Sequence, residues 1–182
     1  TLSSSSAASH VYKRQVQQAL YEEMKTKVTN IAAKGGSTKF KITSDLGLRW
    51  QTSASGARLE KEVSQTFDNL DTDKVLSCLR TDCPYELYWY EKTANTEWSY
   101  NYSVSVSGGK RIVRITDLEV SMPVCNGYAS DQYRVDASMV NIAKASAANA
   151  KQIVNEFKNS SVTEKLVAYK EMICYLTDYN DL

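Results

Sequence analysis

The chain has 182 residues, with 22 Lys and Arg against 21 Asp and Glu for a net charge of +1, one His, 42% hydrophobic and 24% charged residues. That is enough apolar material for one globular domain, and no run nears the roughly 20 apolar residues of a membrane-spanning helix. A balance so close to neutral also lacks the electrostatic attraction that non-specific nucleic-acid binding depends on, so neither a nucleic-acid partner nor a membrane span is expected.

Residues 1–15, a Ser-rich stretch without helical or strand period, resemble translated sequencing-adapter DNA of the kind fused to metagenomic fragments. They are set aside as a tag would be and are expected to be disordered. This removes His10, the single histidine, and leaves no imidazole for a general base, a nucleophile pair or a metal site. From residue 16 the chain is expected to form one α+β domain. Val16, Leu20, Met24, Val28 and Ile31 mark a first helix, stopped by Gly35-Gly36. Lys39 to Ile42 alternates like a short strand. Leu59, Val63 and Phe67 mark a second helix, and Asp71 or Thr72 caps a third carrying Val75, Leu76 and Leu79, which must end before Pro84.

The middle reads as antiparallel sheet. Leu87 to Tyr90 is an aromatic run, and Tyr100, Tyr102, Val104 and Val106 alternate with Asn101, Ser103 and Ser105 as a half-buried strand. Gly108-Gly109 signals a hairpin with Ile112 to Thr116 returning, and Leu118, Val120 and Met122 alternate until Pro123. Asp136 caps a long helix reaching Phe157, and Ser161-Val162-Thr163-Glu164 has capping-box spacing ahead of a last helix, about 163–177, with Leu166, Tyr169, Ile173 and Leu176 as its stripe. The expected architecture is N-terminal helices and a C-terminal antiparallel helix pair packed on a small antiparallel sheet.

Four cysteines, Cys78, Cys83, Cys125 and Cys174, show no CxxC spacing, so no zinc site or other cofactor is expected. Cys78 and Cys174 read as buried small hydrophobes, with a Cys78–Cys83 bridge as the alternative. Seven aromatics fall between Tyr85 and Tyr102. Most are expected to line the core; the competing reading is an adhesion or glycan-binding surface built on Trp89, Trp98 and their Tyr neighbours. The acid pairs Glu22-Glu23 and Asp71/Asp73 read as solvated faces or caps.

Val124-Cys125-Asn126-Gly127-Tyr128-Ala129 resembles the C-x-G-Y-A signature around the nucleophile of transglutaminase-like cysteine enzymes, but no His follows it. Asp82-Cys83-Pro84-Tyr85-Glu86-Leu87-Tyr88-Trp89-Tyr90-Glu91-Lys92-Thr93 is similar to a D-x-P-Y-E-L-Y-W-Y-x-K-T stretch of large secreted surface proteins of Gram-positive bacteria, as are 147–154 and 164–174. In those proteins the region leads into a transglutaminase-like domain of papain-type architecture. The resemblance implies a non-catalytic accessory region of a secreted or cell-surface protein, with both ends of this chain read as cut and the catalytic domain as the missing partner. No catalytic residue carries over. An exposed apolar patch is expected around Tyr169, Ile173, Leu176 and Tyr179, where that domain would dock.

Overall fold

The computed structural model describes residues 3–176, with side chains from 15 to 175. Helix α1 (Ser3–Lys34) buries the whole expected stripe, Val16, Leu20, Met24, Val28 and Ile31. It also runs through residues 3–14, where disorder was expected. A helix nucleated over 16–31 propagates at little cost through good helix formers such as Ala7, Ala8, Lys13 and Arg14. Gly35 ends it with φ 71°, its N–H bonded to the Ile31 carbonyl at 2.7 Å.

The main sheet is antiparallel and centred on β5 (Lys110–Ser121). Strand β4 (Glu97–Ser107) pairs with it along one side; β2 (Lys39–Lys41) and β3 (Arg49–Thr52) pair with it end to end along the other. The β4–β5 hairpin turns on Gly108 and Gly109, both at positive φ, the backbone a two-residue hairpin loop requires. A second, smaller sheet orders β1 (Gly36–Ser37), β7 (Arg134–Val135) and β6 (Ala129–Asp131).

Strand β5 is one strand, not the two the alternation suggested. Ser99 of β4 faces Glu119 and Asn101 faces Thr116, so β5 carries an extra residue between these pairs. Asp117 sits there with φ 51°, and the bulge reverses the alternation. Val113 and Ile115 precede it at odd positions, Leu118, Val120 and Met122 follow at even ones, and all five are buried. Val113, Ile115 and Val120 lie opposite Val104, Tyr102 and Trp98, which share one face of unbulged β4. Helix α2 (Ala57–Asp68) covers the Val113–Ile115 end with Leu59 and Val63. Helices α1 and α3 (Thr72–Asp82) cover the other, where Val75, Leu76 and Leu79 join Val120 and Met122. The fold is α+β, with antiparallel strands throughout both sheets.

Leu87 to Tyr90 is not a strand. After α3 the chain passes through consecutive turns, and only Tyr90 bridges, to Val124. Asp71 precedes α3 as expected but in the left-handed conformation, without a side-chain cap.

The described residues gather into two compact units that meet in sequence between Val140 and Asn141, within helix α4 (Ala137–Glu156). Asp136 does cap α4, accepting from the N–H and hydroxyl of Ser138 at 2.8 Å. In the second unit a short turn leads to α5 (Val162–Leu176), and Phe157 meets Tyr169 edge-on at 6.2 Å. The capping box forms in full. Glu164 accepts from the N–H and hydroxyl of Ser161 at 2.8 Å, and the Glu164 N–H donates to the Ser161 oxygen at 3.3 Å.

Candidate functional site

Of residues 82–93, the stretch the sequence singles out, the structure places four in the core. Cys83, Leu87, Trp89 and Tyr90 are buried. The Arg80 guanidinium donates to the Tyr90 oxygen at 2.9 Å, and that oxygen pairs with the Thr96 hydroxyl at 2.8 Å. The Tyr88 hydroxyl donates to the Ala32 carbonyl on α1 at 3.3 Å, while its ring meets Tyr128 edge-on at 4.9 Å. The Trp89 carbonyl accepts from the Cys125 N–H, and the Glu91 N–H donates to the Pro123 carbonyl. The segment therefore ties α1, α3 and the Pro123–Tyr128 loop together.

This decides most of the aromatic cluster. Trp89 is 0% exposed and offers no face to a sugar ring, so the glycan platform loses one of its two indoles. Its Nε1 is buried without a hydrogen-bond partner. Trp98 and Tyr100 are half-buried around Phe67, with ring centroids 6.4 and 4.5 Å away. Tyr85 and Tyr102 are exposed.

Cys125 occupies extended backbone ahead of a three-residue 3-10 turn, Asn126–Tyr128. No α-helix N-terminus lies behind it to lower its pKa. Burial, with the Glu91 charge adding, pushes the thiol up, and its sulfur lies 3.8 Å from the Tyr88 carbonyl oxygen. With His10 the only histidine, no imidazole from the rest of the chain can serve as its base. All four cysteines are free. Cys83 is buried, but Cys78 and Cys174 are exposed, against expectation. On α3 the buried face is taken by Val75, Leu76 and Leu79, which turns Cys78 to solvent. Among the described residues no group of three or more His, Cys, Asp or Glu comes together as a metal site.

Glu23 does more than solvate a helix face. One carboxylate oxygen accepts from the Thr43 N–H and hydroxyl, both at 2.7 Å, and the other from the Ser44 N–H at 2.8 Å. Burial alone would raise its pKa, but these hydrogen bonds prevail and hold it at about 2. The clamp fixes the loop after β2, which walls a pocket of about 200 Å³ also lined by Asp45, Arg114 and Asp117. Asp45 and Arg114 approach to 3.4 Å there. A second groove, about 350 Å³, lies between α1 and α3, where the Tyr21 hydroxyl donates to Asp82 at 2.6 Å. That bond, with burial, raises the pKa of the Tyr21 phenol. Nothing in the sequence spacing pointed to either pocket, because each joins segments that lie far apart along the chain, Tyr21 and Lys74 in one and Leu48 and Arg114 in the other.

On α5, the half-buried positions are Lys165, Ala168, Tyr169 and Met172. Ile173, at 61%, and Leu166 are exposed, so the covered face is turned about one residue from the expected stripe. The Leu176 side chain and Tyr179 lie outside the described residues.

No family model, no curated protein and no solved structure matches the chain.

Proposed function

We propose that this chain is a non-catalytic accessory module of a secreted or cell-surface protein that carries a transglutaminase-like domain. One observation carries the non-catalytic half of the reading. Cys125, in the nucleophile-like stretch the sequence offers, has its thiol pKa raised by burial, lies outside any α-helix N-terminus and finds no imidazole from residue 11 onward to serve as its base. The accessory half rests on the resemblance of residues 82–93, whose side chains here build a scaffold. In this reading the module works through its surfaces, and its partner is the catalytic domain of the same protein.

The test is chemical. Incubated under reducing conditions with a glutamine-donor peptide, a fluorescent amine and unstructured peptide substrates, the full chain is expected to release and incorporate nothing above the blank. Iodoacetamide should alkylate Cys125 at neutral pH more slowly than it alkylates an ordinary free thiol, because burial keeps the thiolate fraction low. Thiol-dependent turnover that disappears in Cys125→Ala, or fast alkylation of Cys125 below neutral pH, would overturn the proposal.

A further inference from the structure

The two edges of the main sheet differ in kind. The edge formed by β2 and β3 is broken into two short strands and carries exposed Lys39, Lys41 and Arg49, the devices that discourage edge-to-edge pairing. The β4 edge has none of them. From Trp98 to Ser107 it holds no charge, proline or glycine, and the bulge beside it belongs to β5. Among the described residues no strand pairs with the outer side of β4. Its apolar face is covered less and less toward the hairpin: Trp98 and Tyr100 are half-buried, Tyr102 is 40% exposed, Val104 42% and Val106 72%.

We propose that β4 is a dimerisation edge, pairing antiparallel with β4 of a second copy of this chain. Hydrogen-bonding direction and side-chain face both alternate with period two along a strand. An antiparallel edge-to-edge pair can therefore join only residues of like parity. The apolar stripe of one copy must meet the apolar stripe of the other, and the serine stripe the serine stripe. A two-fold axis at Tyr102, the midpoint of Glu97–Ser107, engages all eleven residues. It sets Val106 opposite Trp98 of the second copy, Val104 opposite Tyr100, and Tyr102 opposite itself. The most exposed side chain thus meets the largest ring. Alternate residues of such a strand supply about ten inter-chain hydrogen bonds, the number typical of a stable interface. From Trp98 to Ser107 the strand has no charge to steer a foreign partner, whereas its own copy matches it by symmetry, with each Glu97 falling opposite a Ser107 and no like charges meeting. This inference is independent of the accessory-module reading.

Sedimentation velocity on the full chain over a concentration series is expected to show monomer converting to dimer. Hydrogen exchange at high and low concentration should show added protection confined to amides within 97–107. Val104→Lys with Val106→Lys should abolish the dimer while leaving the far-ultraviolet circular dichroism nearly unchanged and the melting curve near that of wild type at concentrations where it is monomeric. If the pair of lysines unfolds the protein, Val106→Lys alone, at the more exposed position, decides. A chain that stays monomeric at every concentration overturns the proposal. So does a dimer that survives the lysines, open-ended fibre growth, or protection that falls on α5 instead.

Discussion

Replacing Glu23 with Gln isolates one clamp of the fold. The carboxylate accepts three hydrogen bonds from Thr43 and Ser44, and the Gln side chain keeps the shape while losing the charge and turning an amide donor toward those donors. The native pKa is held down from 4.5 to about 2. At about 1.4 kcal/mol per pH unit this sets a ceiling of about 3.5 kcal/mol on the stabilisation. The group is partly open to water, so solvent screening reduces the expected loss to about 1–2 kcal/mol at pH 7. A carboxyl with a depressed native pKa contributes fully above its unfolded value and loses that contribution as protons reach the native site. The gap between wild type and Glu23→Gln should therefore be constant above about pH 5, narrow as pH falls through 4.5, and close near pH 2. Urea unfolding followed by circular dichroism across this range measures it, with unchanged slopes marking a pure stability effect. A gap that persists undiminished at pH 2, or no gap at pH 7, would refute the reasoning.

Two further substitutions test the packing. Gly35→Ala should cost more than Gly36→Ala: both residues have positive φ, but a Cβ at Gly35 falls 2.9 Å from the Ala137 Cα while Gly36 faces open space. Left-handed strain alone is worth about 1–2 kcal/mol, so denaturant midpoints should separate the pair by the added clash. Trp89→Phe should change stability by less than about 1 kcal/mol in the same assay, because removing an unpartnered buried N–H offsets the lost packing; a loss near 3 kcal/mol would mean that the indole nitrogen is satisfied after all.

What the sequence disclosed was local. The α1 stripe, the Gly108-Gly109 hairpin and the Ser161–Glu164 box are each set by residues within a few turns of one another, and each is present. What it hid was non-local. Strand β3 has only four residues, and its reason to be a strand is β5, some sixty positions later. Glu23 looked like a solvated acid because the loop it holds lies twenty residues away. Trp89 is in the core, as expected for most of the cluster, but its competing surface reading stayed open because an aromatic run reads alike whether a sheet displays it or a turn buries it. Cys78 showed the reverse error: apolar neighbours in sequence do not share a helix face at a spacing of one or two.

Asp117 makes β5 sensitive to arithmetic. The residues before and after it are buried on the same face of the sheet only because one extra position is inserted between Ile115 and Leu118. Length variation in this strand is therefore a question of odd and even. Deleting the bulge residue would turn Leu118, Val120 and Met122 toward the opposite face and carry Glu119 and Ser121 inward. Removing two residues would keep the faces and shorten the reach. Drift in sequence can change nearly every side chain of β5 within its class, yet the count between its two halves is fixed, and a single dropped codon there would cost the core more than most substitutions within it.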